Sequence, residues 1–173
     1  MANGRTDVIF QEIQYPRQWW LVVLLAVPFT FAWYAFIAQV LLGKPVGDNP
    51  MSNWGAWVVW LFFGLFLPLF FFAVRLETEV DGGRLTVRFF PHITKTLSPH
   101  DIDDYYVRTY RPLKEYGGWG VRWSPRFGWA YNASGNQGVQ LELAVEKQLL
   151  IGSQRPEELL AALDQMTGRK RKR

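Results

Sequence analysis

The chain has 173 residues, no cysteine, and 19 basic against 15 acidic side chains, a formal net charge of +4. Without cysteine, disulfides and thiolate metal sites are excluded. The positive charge belongs to one end: residues 1–53 are neutral overall, residues 54–168 carry eleven basic and twelve acidic groups, and Arg169, Lys170, Arg171, Lys172 and Arg173 supply the excess.

Residues 1–18 are polar and are expected to lie along a membrane interface. Residues 19–42 and 54–74 contain no Asp, Glu, Lys, Arg or His. Each run is close to the roughly twenty residues a helix needs to cross a hydrocarbon core, and a backbone in lipid must satisfy its own hydrogen bonds. Both are predicted as transmembrane helices. Trp19 and Trp20 suit an aromatic belt. A signal peptide is the competing reading, but the first run is too long for an h-region and lacks a small-x-small cleavage site. The connector 43–53 holds the turn formers Gly43, Pro45, Gly47, Asp48, Asn49 and Pro50, and is short enough to force an antiparallel hairpin. It carries only Lys44, whereas Arg5, Arg17, Arg75 and all later basic residues lie on the other side, so the positive-inside rule puts both termini in the cytoplasm. Pro28 and Pro68 are positioned to kink the helices. Ala32, Ala35 and Ala38 are either a stripe for close helix approach or ordinary membrane-helix alanine. No charge lies within either run, which argues against a proton relay or ion path in this chain.

Beyond residue 74 the period changes to two. Strands are expected at 75–80 and 84–90 around the hairpin turn Asp81-Gly82-Gly83, then at 92–97 and 102–110. Segments 119–123 and 127–131 flank Ser124-Pro125-Arg126. Residues 139–145 alternate as a half-buried strand, and Glu146-Lys147 turns the chain into 148–151. A helix follows: Pro156 suits its first position, Glu157 and Glu158 suit the positive end of its dipole, Leu159, Ala162, Leu163 and Met166 form one apolar stripe, and Gly168 stops it. The fold class is thus a membrane helical hairpin, 19–74, followed by an α+β domain over 75–167. That domain holds about seven antiparallel strands in a small bent barrel closed by the C-terminal helix.

Two membrane helices followed by seven strands and a closing helix resemble the bacterial PH-like (pleckstrin-homology-like) membrane proteins. The stretch Ile151-Gly152-Ser153-Gln154-Arg155-Pro156-Glu157-Glu158-Leu159 is similar to the last strand and helix start of those domains, as is the hairpin Asp81-Gly82-Gly83-Arg84-Leu85. Tyr116-Gly117-Gly118-Trp119-Gly120-Val121-Arg122, with Gly128-Trp129-Ala130-Tyr131-Asn132, looks like an uncharacterised branch. The resemblance implies a two-pass protein of the bacterial inner membrane with a cytoplasmic PH-like domain. It implies neither catalytic residues nor a cofactor; better-known PH relatives bind phosphoinositides or protein segments.

The segment 105–131 interleaves nine aromatic residues with Arg108, Arg111, Lys114, Arg122 and Arg126. Arg108, Arg111, Lys114, Trp119, Arg122, Arg126 and Trp129 are the candidate docking residues for anionic lipid headgroups or an acidic partner, because Arg binds phosphate bidentately and Trp sits at interfaces. The same stacking logic admits single-stranded nucleic acid. The plainer alternative is that alternate aromatics fill the barrel and the arginines are solvated. Gly117, Gly118 and Gly120 suggest a phosphate loop only weakly, since no Lys-Ser/Thr follows; a bulge or close backbone approach fits better. Asp101, Asp103 and Asp104 beside His100 match a strand-start turn rather than a calcium loop. His92 and His100 are the only histidines, too few for a standard zinc site. The basic tail, 169–173, is either a solvated end or a lipid-attracted one, worth up to about 1 kcal/mol per charge near the surface. No basic folded face accompanies it, which argues against nucleic acid. Taken together these features point to a membrane-tethered, non-catalytic binding or scaffolding module. It is expected to associate with lipid and to form a homo-oligomer or pair with a membrane protein. The alternative is an accessory subunit whose active centre lies in a partner.

Overall fold

The computed structural model describes residues 7–16, 18–145 and 148–168. Arg5, Arg17, the turn Glu146-Lys147 and the basic tail lie outside the described residues. The chain forms two compact units: Gln18–Ala73, and a β-rich unit built from the segments on either side of it.

The first unit is a pair of helices, α1 (Trp19–Leu41) and α2 (Asn53–Ala73), each with mean hydropathy 2.2 and each long and apolar enough to cross a bilayer. At 1.5 Å per residue they reach roughly 30 Å, the thickness of a hydrocarbon core. Ser52 caps α2 by accepting from the Gly55 amide at 3.1 Å. Both helices widen into π-turns, over Phe36–Leu41 and Trp60–Phe66. Ala32, Ala35, Phe36 and Gln39 of α1 are buried, with Ala56 and Gly64 of α2. The alanine stripe therefore serves contact within the hairpin. Trp33 and Phe36 pack on Trp60 at centroid distances of 5.3 and 4.4 Å. Gly64 permits this approach: a Cβ there would lie 2.9 Å from Trp60 Cδ1 and 3.3 Å from Trp33 Nε1. Gln39 Nε2 donates to the Met51 carbonyl and to Asn53 Oδ1, tying the end of α1 to the start of α2. Most other side chains of the pair, including Val22, Leu24, Val27, Phe62, Phe66 and Leu69, are exposed.

The β-rich unit has two sheets. The first is the antiparallel meander β1 (Val8–Gln14), β2 (Arg75–Asp81), β3 (Leu85–Phe90) and β4 (Ile93–Leu97). The second comprises β5 (Ile102–Thr109), β6 (Gly120–Ser124), β7 (Gly128–Asn132), β8 (Gln137–Leu143) and β9 (Gln148–Gly152), in the spatial order β5-β8-β9-β7-β6. A short helix α3 (Pro112–Tyr116) leads into β6, and α4 (Pro156–Thr167) ends the unit. Alternation sets the core. Leu76 and Val80 of β2, Leu85 and Val87 of β3, Tyr105, Val139, Leu141, Leu149 and Ile151 of the second sheet, and Leu159, Leu163 and Met166 of α4 form one buried cluster. Each fully buried Leu or Ile contributes about 1.5–3 kcal/mol. Tyr105 fixes α4 by donating its hydroxyl to Asp164 Oδ1 at 2.7 Å, and it also lies 2.8 Å from Thr167 Oγ1.

Three expectations are corrected. The β-rich domain, expected to begin at residue 75, also takes strand β1 from the stretch 1–18, with Phe10, Glu12 and Gln14 buried. The two-residue alternation of β1 is hidden in the sequence by its polar inward residues, which serve hydrogen bonds: Glu12 accepts from Ser153 Oγ (2.6 Å) and the Gln154 amide (2.8 Å), and Gln14 Nε2 donates to the Gly152 carbonyl (2.8 Å). The sheets do not close into a barrel. Side chains, rather than a ladder, link β1 to the end of β9, and β4 passes to β5 through the turn Pro99–Asp101. Nor is the pairing wholly antiparallel: β7 runs parallel to β9, with Trp129, Ala130 and Tyr131 opposite Leu149, Leu150 and Ile151.

Candidate functional site

The β6–β7 hairpin determines where the candidate residues stand. Its register with β9, β8 and β5 sets two rows of side chains on opposite faces of the second sheet. Tyr106, Gln140, Leu150, Ala130 and Arg122 are in register in one row. Tyr105, Leu141, Leu149, Trp129 and Trp123 form the adjacent row, on the other face, as residues one step along a strand must. The second row begins in the core and ends exposed, with Trp123 58% and Trp129 40% accessible. With Pro125, Arg126 and Val145 these tryptophans line a groove of about 620 Å³.

On the opposite face, α3 covers the sheet. Tyr110, Tyr116, Ala130 and Leu150 form a second buried cluster, with Phe127 packed against it. Arg108 pairs with Glu115, and its guanidinium lies 5.3 Å from the Phe127 ring centroid. The Arg126 guanidinium is also 5.3 Å from that centroid. Burial pushes the Tyr110 hydroxyl up to about 12, against the smaller opposing effects of Asn132 and Arg108. Burial likewise raises Tyr116.

The seven candidate docking residues therefore do not form one patch. Arg108 is half-buried and engaged with Glu115, so it belongs to the structure of the α3 cover. Arg111, Lys114 and Trp119 border a second, shallower groove of about 280 Å³ with Tyr110, Leu113 and Asn136. There the Arg111 amide donates to Glu115 Oε1 at 2.8 Å, and Trp119 Nε1 donates to the Gly135 carbonyl at 2.9 Å. Arg122 is exposed and its Nε donates to the Trp119 carbonyl at 3.1 Å, leaning toward this second groove. Arg126 and Trp129 lie at the far end of the hairpin, in the first groove. Trp123, which sequence alternation alone did not single out, completes that groove; its cross-strand pairing with Trp129 was the available signal.

The glycines act through conformation. Gly117 ends α3 at φ 72°, its amide bonded to the Leu113 carbonyl at 3.1 Å, and Gly118 and Gly120 also take positive φ. Asp101 closes a capping box: its Oδ2 accepts from the Ser98 amide at 2.7 Å and hydroxyl at 2.8 Å. These bonds, the backbone one foremost, hold its carboxyl below the usual range. Among the described residues no group of three or more His, Asp or Glu is arranged to hold a metal ion.

Comparison with curated proteins gives no match. A family model described as a family of unknown function (DUF6141) matches residues 1–168, nearly the whole chain, and the protein belongs to that family.

Proposed function

We propose that the protein is a membrane-tethered, non-catalytic binding module: a two-pass hairpin in a bacterial inner membrane, both termini cytoplasmic, carrying a PH-like domain that docks anionic headgroups or an acidic partner. The observation that carries this reading is the insertion of the two apolar helices between β1 and β2. These strands are ladder partners, with Gln14 opposite Leu76. A two-pass segment returns the chain to the side it left, and only then can β1 pair with β2. Exposed Trp19 and Trp54, at the start of each antiparallel helix, suit aromatic belts at the two interfaces. The PH-like assignment is supported by the two strand-rich sheets and the C-terminal helix α4, with β1 supplied from before the apolar helices. The docking surface is the Trp123–Trp129–Arg126 groove, where paired indoles and a guanidinium are exposed together.

A topology experiment tests the tether. Asn49→Cys is expected to react with an impermeant maleimide from the periplasmic side of intact cells, and Gln137→Cys only after lysis; the opposite pattern, or extraction of the chain by alkaline carbonate, refutes it. For docking, the protein held in neutral nanodiscs is expected to capture phosphatidylglycerol vesicles. Trp123→Ala with Arg126→Ala is expected to lower capture severalfold, and unchanged capture removes the groove from the proposal.

The accessory-subunit reading is favoured by a separate feature. Val23, Ala26, Val27, Thr30, Phe31 and Tyr34 line an open apolar groove of about 580 Å³ along α1, a surface on which another apolar helix could pack. A detergent-solubilised complex containing a second membrane protein, identified by native mass spectrometry, would support that reading over a self-contained module.

A further inference from the structure

The β3–β4 turn, Phe90-Pro91-His92-Ile93, stands at the end of the first sheet where the chain arrives from α2. α2 ends at Ala73 and β2 opens at Arg75, so one residue separates helix from strand. Two residues span at most about 7 Å. Arg75 is the ladder partner of Phe90, and paired Cα atoms are about 4.5–5.5 Å apart. Phe90 is therefore the ladder partner of the second residue past the end of α2. On the neighbouring strand, β1 ends at Gln14 and Tyr15 follows, four residues before α1.

The side chains at this end are unusual for a water-facing turn. Phe90 and Ile93 are each 39% exposed and Tyr15 is 46% exposed. Phe90 and Ile93 point to opposite faces of the sheet: Ile93 shares the core-facing row of Leu76 and Phe89, while Phe90 shares the row of Arg75. Neither face buries the tip, because the turn projects beyond the core. The Arg75 guanidinium lies 4.7 Å from the Phe90 ring centroid and 2.5 Å from Glu77 Oε1. An aromatic ring packed on an arginine, with an exposed tyrosine and isoleucine at the same end of the sheet, matches the headgroup–acyl boundary, where apolar bodies and polar tips are both accommodated.

We propose that Tyr15, Arg75 and the Phe90–Ile93 turn form a lipid-interface wedge. It seats in the phospholipid headgroup layer of the leaflet at which α2 ends. This inference rests on the membrane reading above. It differs from that reading in its site, in the residues involved and in being independent of the Trp123–Trp129 groove.

The cysteine-free chain allows a direct test. His92→Cys, at the tip of the turn, carries a polarity-sensitive fluorophore in the full chain reconstituted into phosphatidylcholine–phosphatidylglycerol nanodiscs containing headgroup-nitroxide lipid. Gly82→Cys, on the β2–β3 turn at the other end of the same strands and with open space around it, is the control. Quenching is expected to be severalfold stronger at position 92 than at 82, and Phe90→Ala combined with Ile93→Ala is expected to reduce it toward the control. Equal quenching at the two positions in a bilayer-integrated chain overturns the wedge while leaving the tether intact. Disulfide-linked dimers through Cys at 92 without lipid quenching also overturn it, in favour of a second copy as the occupant. Failure of the chain to integrate at all refutes both proposals.

Discussion

Glu12 offers the sharpest test of how the chain is assembled. Its side chain is nearly fully buried, and both carboxylate oxygens are used: Oε2 accepts from Ser153 Oγ at 2.6 Å and Oε1 from the Gln154 amide at 2.8 Å. These bonds cross from the outermost strand of the first sheet to the link between β9 and α4. Hydrogen bonds to a charged group contribute about 1.5–3 kcal/mol each, and removing one partner leaves the other unsatisfied. Glu12→Ala therefore removes about 3–5 kcal/mol of local stability, a factor of a hundred or more in the opening equilibrium of β1. Glu12→Gln keeps one acceptor and is expected to lose about half. β1 is laddered on one side only, to β2, so the loss concentrates there rather than spreading through the core. Hydrogen–deuterium exchange with mass spectrometry reads it directly: peptides covering β1 exchange faster in Glu12→Ala, and those covering β8 and β9 change little. Unaltered exchange in β1 would falsify the claim that this segment is pinned to the β-rich unit by its carboxylate.

Two further outcomes are expected. Gly64→Val places a Cβ 2.9 Å from Trp60 Cδ1 and forces apart the ring contacts of the helical pair; an overpacking cost of about 1–3 kcal/mol is expected, seen as a lower midpoint in detergent-mediated unfolding of the full chain, and an unshifted midpoint would show that the helices do not approach this closely. Tyr110 carries a hydroxyl raised to about 12, so the folded state keeps its proton after the unfolded chain has lost it. Stability is full below about pH 10 and falls by about 2–3 kcal/mol as pH rises toward 12; Tyr110→Phe is expected to flatten that decline in denaturant titrations at high pH, and an identical decline would assign it to other groups.

Local pattern carried a good part of this architecture. Charge-free apolar runs of membrane length marked α1 and α2 to within a residue or two, because length and hydropathy are properties of local composition. The Asp81-Gly82-Gly83 turn and the stripe Leu159, Ala162, Leu163 and Met166 located β2, β3 and α4 for the same kind of reason: a short-range period meets one face of a core. What the sequence alone did not reveal depends on partners distant along the chain. β1 is a strand because Arg75–Asp81, some sixty residues later, supplies its ladder and because Ser153 and Gln154 satisfy Glu12. β7 lies parallel to β9 rather than closing a barrel, and that registry leaves Trp123 and Trp129 exposed on one face while Arg108 is drawn under α3 on the other. Periodicity states which residues share a face of an element; only the pairing of elements decides whether that face is covered, and so which arginines and aromatics remain free to meet another molecule.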